Sequence, residues 1–187
     1  MKIVSKDIRW AGKFLNYFWY HLSDGRIYEV CSRNRNPDPY ERKSDAVSIV
    51  AFNEDRTAVC LVREYRVPLE GYCYSFPAGL REPNESIYDT AHRELFEETG
   101  LKILTYGKDL PASYQSPGIT DESVSTIFVT ASGEPTNANQ TKDEDITPMW
   151  VTKEDARRIL CVGTNISARC QMFLTMWVGT DLSKPLG

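Results

Sequence analysis

The sequence predicts a mixed α/β domain preceded by a small antiparallel β element, and three observations point that way. Between Lys13 and Arg33, KFLNYFWYHL and RIYEVCSR are rich in aromatic and β-branched residues and flank Ser23-Asp24-Gly25, the composition of a tight hairpin turn. From Ala46 onward, short apolar runs bounded by turn-forming residues recur at strand length. The stretch around residues 86–100 instead carries apolar residues at helical spacing, and near the C-terminus a capping-box signal and an amphipathic segment mark two further helices.

In chain order, the hairpin comes first. Its aromatic density (Phe14, Tyr17, Phe18, Trp19, Tyr20, Tyr28) exceeds what two strands bury on their own. The rings are expected to pack on the main domain, or to form a homodimer interface with some left to stack on a base. Asn34 to Ser44, polar and carrying two prolines, reads as a linker. This divides the chain into a hairpin element and linker over 1–43 and a main domain over 44–187. Ala46 to Phe52 predicts a buried strand, Asn53 to Arg56 a turn, and Thr57 to Tyr65 the partner strand. RVPLEGYCYSFPAGL, punctuated by Pro and Gly, leads into the central helix. Beyond it, Leu101 to Tyr106 predicts a short strand, residues 113–123 a turn-rich loop, and Val124 to Thr130 another strand. Residues 132–145 are polar without hydrophobic period and read as a mobile surface loop ending in Asp143-Glu144-Asp145. Ile146 to Val151 predicts a strand. Thr152 with Asp155 marks a capping-box start for a helix to about Cys161, and a final helix is expected over Asn165 to Val178.

The central stretch, Gly79 to Leu101, poses a chemical problem. Glu94, Glu97 and Glu98 crowd the last turns of a helix, where residues three and four apart are neighbours, so Glu94 faces both of the others. The helix itself is well specified. Ser86 with Asp89 approximates a capping box, Gly100 suits a left-handed position after the last turn, and Ile87, Ala91 and Leu95 form an apolar stripe. Glu94 and Glu98 run along the edge of that stripe, whereas a solvated charge run belongs opposite it. Binding of a hard divalent cation is the first reading, and a bland surface helix is the competing one.

The full pattern is more specific. Gly79, Glu85, and then Arg93-Glu94-Leu95-Phe96-Glu97-Glu98-Thr99-Gly100-Leu101 together resemble the Nudix box at every defining position. That resemblance implies an α/β/α sandwich with a mixed sheet, and hydrolysis of a nucleoside diphosphate linked to another group. It implies Mg²⁺, with Mn²⁺ as a substitute, held by Glu94, Glu98 and the Ala78 carbonyl, with Glu97 assisting. Arg93 and Glu85 would brace loop and helix by ion pairing. Related hydrolases take a general base from a mobile loop beyond the box, which here points to Glu144, with Glu122 as the second choice; an acidic loop that is merely solvated is the structural alternative.

GYCYSFPAG before the box and Pro117 in SPG after it resemble the ADP-ribose diphosphatase branch, a resemblance running from about Gly12 to Val151. It implies that Phe14 and Tyr28 sandwich adenine, and that Arg33 and Arg66 lie near base and phosphates. Burial in the hairpin core is the alternative for the two aromatics. The branch commonly has glutamate where this chain has Ser75.

Composition narrows the class. The chain has 187 residues, enough for one sizeable core, and a net charge of −4, so no overall basic field favours nucleic acid. An acidic protein acting on a diphosphate needs local arginines and metal ions. Five scattered cysteines without a C-x-x-C read as small buried hydrophobes in a reducing compartment. Two histidines, His21 and His92, leave little for a Ser-His-Asp triad or a histidine-rich metal site. With no signal-like or membrane-spanning apolar run, the cytoplasm is the expected location. The resulting expectation is a homodimeric enzyme splitting ADP-ribose or a related ADP-sugar into AMP and sugar phosphate, without nucleic-acid or membrane partners. Hydrolysis of another nucleoside diphosphate sugar such as GDP-mannose, or a catalytically silent nucleotide-binding sensor, are the alternatives.

Overall fold

The computed structural model describes residues 1–37, 43–140 and 145–179. The chain divides into two compact units, one of Met1–Ala46 with Pro111–Ser125, the other of Val47–Leu110 with Thr126–Gly187.

The first unit is built on a three-stranded antiparallel sheet of β1 (Ile3–Ala11), β2 (Asn16–Leu22) and β3 (Ile27–Ser32), in that order. The predicted hairpin is β2–β3, with Asn16 opposite Ser32 and His21 opposite Ile27. Gly25, at φ 85°, supplies the left-handed turn residue. The additional strand β1 has no counterpart among the predicted elements, for a physical reason. All nine of its residues are exposed, so neither face carries the apolar alternation that marks a half-buried strand. Phe18 and Leu22 are the buried apolar side chains of β2.

The second unit is built on β4 (Ala46–Phe52) and β5 (Ala58–Arg66), the predicted pair, followed by β6 (Gly71–Ser75), β7 (Ala78–Leu80), α1 (Ile87–Thr99), β8 (Lys102–Tyr114), β9 (Ser123–Ser132), β10 (Ile146–Thr152), α2 (Lys153–Cys161) and α3 (Ala168–Trp177), with Ala46, the end of β8 from Pro111 and the start of β9 to Ser125 counted in the first. The sheet runs β10-β5-β4-β9-β8, with β6 paired to β5 and β7 to β4. β8 extends to Tyr114, well past the predicted end at Tyr106, because its residues are almost all exposed and leave no apolar signal.

Alternation along the central strands explains the layers. Val47, Ile49 and Ala51 of β4, Cys60 of β5, and Ile127, Val129 and Ala131 of β9 pack with Ala91 and Leu95 of α1. The intervening Val50, Val59 and Leu61 pack with Phe76, Val151, Ala156 of α2, and Cys170 and Leu174 of α3. A sheet with opposite faces buried against α1 and against α2–α3 is the expected α/β/α sandwich.

The cysteines are all free. Cys60, Cys73 and Cys170 are buried as expected, but Cys31 is only half-buried and Cys161 is exposed. No described helix is long and apolar enough to cross a membrane.

Candidate active site

The acidic turn is held by one arginine. Arg93 donates from Nε and Nη2 to the two carboxylate oxygens of Glu85, at 2.9 Å each, a bidentate fork. Its Nη1 donates to Glu94 at 2.7 Å and to Glu97 at 3.2 Å, and Nη2 also reaches the Leu80 carbonyl at 3.0 Å. The like-charge crowding of the sequence is thus offset by a guanidinium set among three carboxylates. Glu85, ahead of Glu94, pushes the Arg93 pKa further up. In return, the Arg93 hydrogen bonds, then the Glu82 amide, hold the Glu85 carboxyl at about 2. Thr90 donates a further hydrogen bond to Glu85.

Local structure places these groups. Ser86 caps α1 and closes a capping box with Asp89, which starts the helix directly after Glu85. Asn84 takes the left-handed conformation, at φ 72°, so the loop can turn Glu85 back onto Arg93. At the other end Gly100, at φ 70°, closes the helix directly after the glutamates.

Glu98 is 6% exposed and accepts a hydrogen bond of 3.1 Å from the Ala78 amide. Burial, and after it the Glu98 charge, push the neighbouring Cys60 thiol up, so Cys60 stays protonated and inert. Glu94 lies against the backbone of β7, where a Cβ at Gly79 would overlap its carboxylate. A side chain at Gly79 would therefore displace the Glu94 carboxylate from this position.

This donor set suits a hard divalent cation. Among the described residues no three Asp, Glu, His or Cys side chains are grouped to hold a metal. Two carboxylates, Glu94 and Glu98, meet the β7 backbone at Ala78–Gly79, so a backbone oxygen and waters would complete the shell. An oxygen-only, partly hydrated site fits Mg²⁺ or Mn²⁺.

Of the residues singled out in the sequence, Ala78, Glu94, Glu97 and Glu98 come together here. Arg66, at the end of β5, pairs with Glu64 at 2.6 Å. Phe14, Tyr28 and Arg33 belong to the first unit. Phe14 is 67% exposed and Tyr28 47%, so neither is in a hairpin core. Tyr28 donates from its hydroxyl to the Gly118 carbonyl. Arg33 Nε is 2.6 Å from Glu122, which places the second-choice base in an ion pair. Glu144 lies outside the described residues. Ser75 is in β6, opposite Val62.

One group of residues had no signal in the sequence. Thr136, Asn139 and Gln140, from the segment read as a mobile loop, donate to the carbonyls of Thr99, Phe96 and Glu98 at the end of α1. A polar run offers no periodicity from which such bonds can be read.

Comparison with known proteins agrees with this geometry. The NUDIX domain family matches residues 42–165. The ADP-ribose pyrophosphatase of Bacillus subtilis (strain 168) is 36% identical over 161 residues, 85% of this chain and 82% of that protein. The ADP-sugar pyrophosphatase of Mus musculus is 35% identical over 96 residues, 50% of this chain and 44% of that protein. The ADP compounds hydrolase NudE of Escherichia coli (strain K12) is 45% identical over 77 residues, 38% of this chain and 40% of that protein.

Proposed function

The chain belongs to the Nudix hydrolase family, and from that premise we propose that it hydrolyses ADP-ribose or a related ADP-sugar to AMP and sugar phosphate. The observation that carries this reading is the pairing of Glu94 and Glu98 with the Ala78–Gly79 backbone, beside a guanidinium that donates to Glu85, Glu94 and Glu97. The names of the Bacillus subtilis and mouse relatives support the choice of ADP-ribose and ADP-sugars.

Glu94, Glu98 and the Ala78 carbonyl would hold Mg²⁺, or Mn²⁺ in its place. When bound, the cation offsets the charge of the diphosphate and acidifies a water molecule. The chain's own residues do the rest. Arg93 and Glu85 keep the turn rigid, so the two carboxylates need not reorganise during the reaction. Glu97 assists from the half-exposed edge of the same turn. Glu144 is assigned as general base, taking a proton from the attacking water. The oxygen of that water bonds to one phosphorus, the bond from this phosphorus to the bridging oxygen breaks, and the departing phosphate takes the bridging oxygen. Arg66 is assigned to the phosphates, where a guanidinium can make two parallel contacts. Phe14 and Tyr28 are assigned to stacking on adenine, and Arg33 to the same moiety. Exposed Ile3, Val4, Ile8 and Trp10 on β1 support a homodimer formed through the N-terminal sheet.

The test is a hydrolysis screen over ADP-ribose, ADP-glucose, GDP-mannose, NADH and diadenosine polyphosphates with Mg²⁺ and with Mn²⁺. ADP-ribose or ADP-glucose should be preferred, and Glu98→Gln should lower kcat by about 10²-fold or more while the protein stays folded. Preference for GDP-mannose, or turnover unchanged in Glu98→Gln, would reject the assignment.

A further inference from the structure

The end of α1 is electrostatically awkward. The negative end of a helix dipole falls where Glu97 and Glu98 sit, and the last turn contains no basic residue. The final carbonyls are instead answered by protein donors. The Gly100 amide reaches Phe96 at 2.9 Å, and the Thr136 amide reaches Thr99 at 2.9 Å. Asn139 Nδ2 reaches Phe96 at 3.3 Å, and Gln140 Nε2 reaches Glu98 at 3.0 Å.

Gln140 differs from the others in having a second attachment. The same Nε2 donates at 2.9 Å to the carbonyl of Ile146, the first residue of β10. An amide nitrogen carries two hydrogens, and these two bonds use both. Ile146 is itself set opposite Glu64 in the β10–β5 ladder. One half-buried side chain therefore ties the turn bearing Glu97 and Glu98 to β10, the strand at the end of the sheet. The neighbouring Asn139 makes no such link among the described residues, where its side-chain amide donates to Phe96.

We propose that Gln140 is a positioning residue that fixes the carboxylate-bearing turn of α1 against β10 and so sets the affinity of that turn for a divalent cation. This rests on the reading that Glu98 binds the cation. Without the amide, the Glu98 carbonyl and the Ile146 carbonyl each lose a donor, and the last turn is free to shift. Displacements of about 1 Å cost about 10²-fold in reactions that depend on positioning.

The experiment is a titration with Mn²⁺ alone, followed by electron paramagnetic resonance of the free ion, on the wild type, Gln140→Ala, Gln140→Met and Asn139→Ala. Gln140→Met keeps side-chain length without the donors, so it remains readable should the alanine variant fold poorly. The Mn²⁺ dissociation constant should rise roughly 5- to 30-fold in both Gln140 variants and stay within about twofold in Asn139→Ala. With substrate, kcat should fall at least about 10-fold in the Gln140 variants while KM changes little. Unchanged Mn²⁺ affinity in the Gln140 variants, or equal weakening in Asn139→Ala, would overturn the proposal by reducing Gln140 to an ordinary cap. Should the wild type bind Mn²⁺ yet hydrolyse no nucleotide sugar, the substrate assignment fails while the Mn²⁺ comparison still decides the role of Gln140.

Discussion

Arg93 shows how much one residue decides in this site. Its planar fork reaches Glu85, Glu94, Glu97 and the Leu80 carbonyl together, which the compact ammonium of a lysine cannot reproduce. The Glu85 end of this network makes stability depend on pH. Its carboxyl is held at about 2 from an ordinary 4.5, mainly by Arg93. A depressed carboxylate contributes stability that is fully present above about pH 4.5 and is lost as pH falls towards 2. Thermal unfolding of the wild type should therefore steepen with acidification in that window, and Glu85→Gln should flatten the profile there while lowering Tm at neutral pH. The same acid slope in Glu85→Gln as in the wild type would show that the pair does not couple to folding. The Arg93–Glu85 pair was implied by the resemblance to the Nudix box and is observed, with Glu85 placed just before the N-cap of α1. The Ala78 amide on Glu98 was not legible in the sequence, because it depends on β7 lying beside α1.

At the level of elements, α1 was readable nearly to the residue because local chemistry specifies both ends. The Ser86–Asp89 capping box and the left-handed Gly100 are observed as expected. Gly100 carries a second constraint that only packing reveals: a Cβ there would overlap the Thr136 methyl group. Gly100→Ala should destabilise the protein by about 1 kcal/mol or more, from the positive φ alone, and chemical denaturation measures this. A stability equal to wild type would mean that the segment at Thr136 yields freely. The helix α2 was legible from its Thr152–Asp155 capping box, and α3 and the strands β4, β5, β9 and β10 from their apolar patterns, for these pack into the core. The exposed β1 and the outer half of β8 were not, and β6 and β7 were obscured by the Gly and Pro residues between them.

For the molecule as a whole, the N-terminal sheet is the feature that calls for a partner. β1 is an edge strand, with Ile3 and Ile8 exposed on the face of Leu22 and Phe18 and Trp10, at 61% exposure, on the face of Tyr17. Sedimentation equilibrium should give the mass of a dimer for the wild type and of a monomer for an Ile8→Glu/Trp10→Glu variant. A monomeric wild type would withdraw the dimer. The same unit holds the loop 115–122 against β3, through the Cys31 amide on Ile119, Ser32 on Asp121, Tyr28 on Gly118 and Arg33 on Glu122. Residues 115–122, read as a turn-rich loop, and Thr136, Asn139 and Gln140, from the segment read as a mobile loop, are each held by bonds to groups far from them along the chain.

The family was identified by the resemblance of Gly79, Glu85 and the Arg93–Leu101 run to the Nudix box, whereas the helix, its caps and its acidic edge were determined by helical spacing and by Ser86, Asp89 and Gly100. These follow from 3.6 residues per turn and from side chains within reach of their own backbone. Tertiary structure alone decided that Glu98 is buried on the Ala78 amide, that the Glu94 carboxylate lies against Gly79, that Arg33 is paired with Glu122, and that Gln140 joins α1 to β10. Each of these depends on groups separated by many residues and brought together by sheet register and layer packing, which no local pattern encodes.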